Sequence, residues 1–247
     1  MIYSRADFLT TEDIKNFTLL DGDGWLMSNF KNLCAEEGWV EKTLKLPYFQ
    51  GLKTGSLNPT EYGSLLVLDA YYCYNCVTTI QIVKSRMYEK KKDYDNMLDD
   101  MEHLVEGYIV FAKSFLDYWH LGTESTVLAD IPYEEMQDTF VVPTNNAEGY
   151  ADFERSQART QEPILGLITL FTCYEFWPML FGSFGKDIPL SNVYRDWILG
   201  NQGGSSAKVV DSMVERYFDG GHCVDDEMVK NIFRTCLNYE YTMFKEM

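Results

Sequence analysis

Apolar residues recur at helical spacing along most of the chain. From Pro59 to about Lys92 they fall mainly three or four residues apart, and Pro59 suits the first turn of a helix. A second periodic segment covers residues 93–121. A stretch of mixed composition from Gly122 to Ala147 then predicts a long connection, and helical patterning resumes near Gly149.

The segment from Ile164 to about Leu180 is apolar nearly all round, which is typical of a helix at the centre of a fold. Glycines and a proline then predict a turn into a helix through Trp197, and a last helix begins near Asp225. Strand patterns are weak everywhere, and the composition never shifts as it would at a linker. We therefore predict one all-α domain over residues 1–247, a single-domain bundle of about seven helices.

Composition narrows the possible partners. Hydrophobic residues make up 46% of the chain and aromatic residues 15%, which is ample for a sizeable core. The net charge of -17 argues against a nucleic-acid partner, because phosphate binding needs clustered Lys and Arg. The compact basic run Lys90–Lys92 is followed at once by acidic residues, which indicates a solvated helix face.

Hydropathy and cysteine usage indicate a location. No stretch reaches the ~18 consecutive apolar residues of a membrane span, so we expect no membrane partner. The N-terminal MIYSRADFLTTED lacks the basic head and apolar segment of a secretory signal. The six cysteines are too few and too scattered for a disulfide framework. We expect a cytoplasmic protein with reduced thiols.

Two carboxylates fall on apolar stripes of helices that are far apart in sequence. Asp69 follows Leu65 by four residues and precedes Tyr72 by three, and Glu240 follows Cys236 by four. Burying a carboxylate is costly unless it is hydrogen-bonded or paired. For one such residue a bridging role in the core is the favoured interpretation. Two of them, each beside tyrosines, favour a functional pocket, because perturbed carboxylates gather at such sites.

Other groups of candidate ligands or nucleophiles give weaker evidence for a functional site. Cys73 and Cys76 form a CxxC in mid-helix, where packing is a better interpretation than zinc or redox chemistry. The three histidines lack the glutamate spacing of a di-iron site and suit no haem. These residues therefore indicate no zinc, di-iron or haem site. Cys173 lies on the most apolar helix and would be inert alone, but becomes important if the fold brings it close to both carboxylates.

Four ordered stretches carry a resemblance to a known family. They are LPYFQGLKTGSLNPTEYGSLLVLDAYY, then GYADFERSQART with ILGLITLFTCYEFW, then VYRDWILGNQGG, and finally NYEYTMF. Together they resemble the TenA/thiaminase II family, whose members have the haem-oxygenase-like all-helical fold. Their order and spacing cover most of the chain.

The resemblance implies roles for individual residues. Cys173 would be the nucleophile, Glu240 the proton donor and acceptor, and Asp69 the group that holds the amino-pyrimidine edge. Tyr72 and Tyr150 would line the pocket. The implied activity is that of an aminopyrimidine aminohydrolase, which hydrolyses thiamin or its aminomethyl-pyrimidine breakdown products to hydroxymethylpyrimidine in thiamin salvage.

The resemblance also implies no cofactor, and a homo-oligomer, either dimer or tetramer. Three positions depart from the family pattern: a histidine is replaced by Leu46, a glutamine by Leu68, and a pocket tyrosine by the predicted substrate-binding residue Asn201. A non-catalytic pyrimidine-binding or regulatory protein is the main alternative, and a haem-oxygenase-fold oxidase is a third. For the hydrolase, we expect Cys173 to react with small electrophiles faster than the other five cysteines.

Overall fold

The computed structural model describes residues 21–88, 97, 100, 101, 103–105, 107, 144–160, 162–204 and 206–247. All regular secondary structure within these residues is helical. Nine helices have their bounds there: α1 (Trp25–Glu36), α2 (Trp39–Leu44), α3 (Pro47–Thr54), α4 (Pro59–Tyr88), α5 (Asn145–Ala158), α6 (Ile164–Gly182), α7 (Arg195–Gly200), α8 (Ser206–Asp219) and α9 (Asp226–Glu246). Positions 97, 100, 101, 103–105 and 107 are helical as well.

The all-α prediction is confirmed, while the predicted number of about seven helices is too low for the described part of the chain. The short helices α2 and α7 have six residues each and α3 has eight. Such helices span too few turns for their apolar period to be recognised. Of the connection predicted from Gly122 to Ala147, positions 122–143 lie outside the described residues.

Caps explain where the long helices begin. The Thr144 hydroxyl accepts the backbone N–H of Ala147 at 3.2 Å, so α5 begins at Asn145 rather than near Gly149 as predicted. The Asp225 carboxylate accepts the N–H of Met228 at 2.8 Å and caps α9, close to the predicted start.

The apolar helix α6 lies at the centre of the fold, as predicted. Nearly all its residues are buried, and it packs against α4, α5, α8 and α9. Gly166 permits this approach: a Cβ there would stand 2.7 Å from the Cβ of Ala158 and 2.8 Å from Cγ2 of Val83. Because the helices meet so closely, side chains of α4, α5 and α9 reach the surface of α6.

One helix within the described residues, α6, is long and apolar enough to cross a membrane. In the fold, 89% of its 18-residue apolar window is buried inside the protein. That burial is the arrangement of a core helix, and it accounts for the apolar composition by packing.

Candidate active site

The predicted site residues all lie in the interior. They are Asp69 and Tyr72 on α4, Tyr150 on α5, Cys173 on α6, Asn201 directly after α7, and Glu240 on α9. Each is at most 4% exposed. The inward orientation that helical phase predicted for Asp69 and Glu240 is confirmed.

Two of the predicted tyrosines are in ring contact. The rings of Tyr72 and Tyr150 have centroids 5.0 Å apart and are tilted by 32°. Tyr150 is also stacked on Tyr239, with centroids 5.2 Å apart and an interplanar angle of 8°. The three rings join α4, α5 and α9 and form an aromatic wall in the interior.

Electrostatic effects connect these tyrosines to the thiol and to Glu240. Burial raises the pKa of Tyr72 well above its usual value, and the negative charge of Cys173 raises it further. Burial also raises the pKa of Tyr150, with further contributions from the charges of Glu240 and Cys173. Such effects require proximity. The four residues form one interacting group, here called the site cluster: Tyr72, Tyr150, Cys173 and Glu240.

Glu240 is attached to the central helix. The Trp177 indole Nε1–H donates to its Oε2 at 3.1 Å, in a fully buried contact. Trp177 lies four residues after Cys173, on the same face of α6. The residue one helical turn after Cys173 therefore binds the Glu240 carboxylate through its indole.

A small cleft reaches Cys173. It is lined by Cys173, Tyr174, Trp177, Pro178, Asn201, Gly204 and Ser206. The cleft has room for little more than one water molecule. Asn201 lines it, while its amide Nδ2–H donates to the carbonyl of Trp197 at 2.7 Å and so holds the end of α7. Asp69, Tyr72, Tyr150 and Glu240 are not among its lining residues.

Asp69 lies on the buried face of α4, three residues before Tyr72. It is also near Tyr48 of α3, whose pKa is raised by burial first and then by nearby groups that include Asp69. Asp69 therefore shares its helix with Tyr72 and lies near Tyr48. Its role toward a ligand stays a prediction.

Sequence reasoning missed Glu154. This residue lies one turn after Tyr150 on α5, is fully buried, and accepts the hydroxyl hydrogen of Tyr72 at its Oε1, 2.6 Å away. Its spacing of four residues from Tyr150 was the available signal.

The thiols differ in exposure. Cys173 is fully buried, whereas Cys223 is exposed. The expected order of thiol reactivity stays a prediction. A second buried thiol, Cys236, also adjoins the cluster: burial raises its pKa well above the usual value, and the charge of Glu154 raises it further.

Among the residues that the structure describes, no group of three His, Cys, Asp or Glu side chains is arranged to hold a metal ion. The carboxylates near the thiol instead meet phenol, indole and thiol groups. The arrangement is suited to nucleophilic and proton-transfer chemistry on a small ligand.

Comparison with known proteins supports the fold. No family model matches the chain, and no curated protein sequence matches it. Among solved structures, a TenA homologue protein from P. horikoshii OT3 superposes with a TM-score of 0.64 at 19% sequence identity, covering 88% of this chain and 96% of that one. The chain therefore has the haem-oxygenase-like helical fold of TenA proteins.

Proposed function

We propose that this protein is a thiaminase II-like aminopyrimidine aminohydrolase. It converts thiamin, or an aminomethyl-pyrimidine derived from thiamin, to hydroxymethylpyrimidine. Cys173 is the nucleophile, Glu240 transfers protons, and Asp69 binds the amino edge of the ring. Tyr72, Tyr150 and Asn201 contact the substrate.

One observation carries the proposal: a buried thiol, Cys173, and a buried carboxylate, Glu240, both act electrostatically on the buried Tyr150. The indole of Trp177, the residue one helical turn after Cys173, binds that carboxylate, in the fold of a TenA homologue. A structural role alone would not require a thiol, a carboxylate and phenols to interact in one place.

The chemistry suits these residue types. An aminopyrimidine carries an N–C–N edge that a carboxylate such as Asp69 binds by paired hydrogen bonds. Addition of the Cys173 thiolate to the ring makes the substituent on the methylene carbon a better leaving group. Thiamin loses its thiazole as a neutral ring, and aminomethyl-pyrimidine loses ammonia after Glu240 protonates the amine. Water then adds to the methylene carbon and gives up a proton to Glu240, and the carbon–sulfur bond breaks to release the thiolate, so substrate and water give hydroxymethylpyrimidine and thiazole or ammonia.

The cleft must widen to admit a ring, because it holds little more than one water molecule. We propose that α7 and the segment after it move for this purpose, since Asn201, Gly204 and Ser206 form one side of the cleft. The amide of Asn201 then becomes available to the substrate where TenA proteins would present a phenol.

We further propose a cytoplasmic homo-oligomer, dimer or tetramer, that needs no cofactor. Free cysteines throughout the described residues suit a reducing compartment. Light scattering of the purified chain at several concentrations tests the assembly, and a constant monomer mass would contradict it.

The test of function is to incubate the protein with thiamin and with aminomethyl-pyrimidine and to quantify hydroxymethylpyrimidine. Cys173→Ala should abolish the product, and Cys223→Ser, which alters an exposed thiol, should not. Ligand binding without turnover would instead support the non-catalytic alternative, which the replacement of a pocket phenol by Asn201 favours.

A further inference from the structure

A buried hydroxyl in the cleft at Cys173 has no role in the reaction described above. Ser206 is 3% exposed, and its Oγ has no hydrogen-bond partner among the residues that the structure describes. Most buried side-chain polar atoms have a partner, because leaving one without a hydrogen bond is costly. The Ser206 hydroxyl therefore calls for an explanation beyond packing.

Helix capping does not explain this hydroxyl. Ser206 is the first residue of α8, and a serine at the start of a helix commonly accepts a backbone N–H of the first turn. The Ser206 Oγ accepts no such hydrogen bond from α8. Ser212, on the same helix, shows the contrast, since its hydroxyl donates to the carbonyl of Lys208 at 2.8 Å. Alanine at position 206 would leave every described hydrogen bond of α8 in place.

The hydroxyl and the thiol border one space. Ser206, at the start of α8, and Cys173, on α6, both line the small cleft. Gly204 keeps room between these helices: a Cβ there would stand 3.2 Å from Cγ of Pro178 and 3.6 Å from the carbonyl oxygen of Tyr174. A group that enters the cleft beside the thiol therefore comes within reach of a hydroxyl that is already buried.

The proposed reaction indicates which part of a ligand lies beside the thiol. The thiolate adds to the ring carbon next to the one that carries the methylene group, because addition there leaves an enamine that can expel the substituent. Asp69, which binds the amino edge of the ring in the proposed reaction, does not line the cleft. The substituent on the methylene carbon is therefore the polar part of the ligand closest to the space that Cys173 and Ser206 share.

We propose that Ser206 is a specificity-determining residue whose hydroxyl binds the amino or hydroxyl group on the methylene carbon of the ligand. The inference deepens the proposed function and rests on its class of ligand. A serine hydroxyl both donates and accepts, so it can pair with the amine of the substrate and with the hydroxyl of the product.

This contact distinguishes the two substrates. The thiazolium nitrogen of thiamin carries no hydrogen and no available lone pair, so it offers Ser206 nothing to pair with, and the hydroxyl favours aminomethyl-pyrimidine. The cleft has room for little more than one water molecule. The hydrogen bond to a ligand therefore replaces at most a bond to one water, and the cost of burying the hydroxyl is already met in the free protein.

The test is a binding cycle with two ligands and two proteins, measured by calorimetry. The ligands are hydroxymethylpyrimidine and the analogue that has a methyl group in place of the hydroxymethyl group, and the proteins are the native chain and Ser206→Ala. The Kd of hydroxymethylpyrimidine should rise by about 2- to 12-fold in Ser206→Ala, while the Kd of the methyl analogue should stay the same. Equal changes for both ligands, or no change for either, would overturn the proposal.

Ser212→Ala is the matched control, because it removes a buried hydroxyl from the same helix that does have a partner. It should lower Tm and leave both Kd values unchanged. Ser206→Ala removes a hydroxyl without a described partner, so its Tm should not fall. A lower Tm for Ser206→Ala with unchanged affinities would show a structural hydroxyl and contradict the proposal.

Binding needs no turnover, so the cycle separates this inference from the proposed hydrolase. Native chain that binds hydroxymethylpyrimidine but forms no product would reject the hydrolase and leave the Ser206 contact to be decided by the cycle. If the native chain does turn over, Ser206→Ala should lower kcat/KM for aminomethyl-pyrimidine more than for thiamin, and equal losses would overturn the proposal. Native chain that binds neither pyrimidine would reject the proposed function and this inference together.

Discussion

Two groups of buried carboxylates in the described part of the chain differ in the kind of partner that they bind. At the junction of α1 and α8, Asp211 accepts backbone N–H groups of Gly24 at 2.7 Å, Leu26 at 3.1 Å and Met27 at 3.3 Å. At the site cluster, Glu154 and Glu240 accept hydrogens from side chains, a phenol and an indole.

We interpret the difference as one between a structural role for Asp211 and the proposed chemical role of Glu240. The first N–H groups of a helix have no partner within the helix, and Asp211 supplies acceptors for those of α1. The donors to Glu154 and Glu240 are side chains that packing alone would not require, and thiols lie beside them. Burial of a carboxylate is therefore weak evidence for function, and the type of its partner is better evidence.

The largest expected effect comes from Glu240→Gln. The amide keeps the shape of the site and an oxygen for the Trp177 indole but cannot transfer a proton, so kcat should fall by about 10²–10⁴-fold with little change in ligand Kd. Steady-state kinetics and calorimetric binding measure the two quantities. If affinity falls while the rate is kept, Glu240 binds rather than transfers protons.

The second prediction concerns Glu175, which lies two residues after Cys173 but faces Lys31, 3.6 Å away. Burial raises the pKa of Glu175 from 4.5 to about 7. Because the folded state prefers the neutral acid, stability is highest below pH 4.5 and is lost as the pH rises to about 7. The difference of about 2.5 units corresponds to about 3 kcal/mol.

Glu175→Gln stays neutral and should remove this loss. We expect the free energy of unfolding of Glu175→Gln minus that of the native chain to increase as the pH rises from 4.5 to 7.5. Urea titrations at several pH values measure this difference. If the free energy of unfolding depends on pH in the same way in both proteins, ionisation of Glu175 is no less favourable in the folded state than in the unfolded state, and the prediction is wrong.

The third prediction contrasts Asp69 with Glu240. Asp69→Asn replaces a charged acceptor by a neutral amide, and hydrogen bonds to charged groups are worth roughly 1.5–3 kcal/mol. Pyrimidine Kd should therefore rise by about 10- to 150-fold. Binding calorimetry with hydroxymethylpyrimidine measures it, and an unchanged Kd would remove Asp69 from the ligand site.

The smallest effect is expected on the structural side of the comparison. Asp211→Asn keeps one oxygen acceptor for the start of α1 and should cost about 1–2 kcal/mol of stability. Turnover per folded molecule should be unchanged. Thermal unfolding and kcat together measure this, and a loss of kcat with an unchanged Tm would erase the distinction between the two regions.

Much of this architecture follows from local pattern. Helical phase was sufficient to place Asp69 and Glu240 inward, and the all-round apolar run was sufficient to place α6 at the centre. Roles for Cys173 and Tyr150 came from resemblance, because nothing local distinguishes a reactive cysteine from a packed one.

The remainder depends on tertiary contacts. Glu154 meets Tyr72, a residue 82 positions earlier, and Trp177 meets Glu240, 63 positions later. No periodicity within one helix reports such a pair. The close packing of α5 on α6, which Gly166 permits, puts Glu154 inside.

The most direct test of the account measures hydroxymethylpyrimidine formed from aminomethyl-pyrimidine by three proteins side by side: the native chain, Glu240→Gln and Asp211→Asn. The account predicts turnover by the native chain, a rate lower by about 10²-fold or more for Glu240→Gln, and the native rate per folded molecule for Asp211→Asn. Absence of product with the native chain, or equal losses in the two variants, would contradict it.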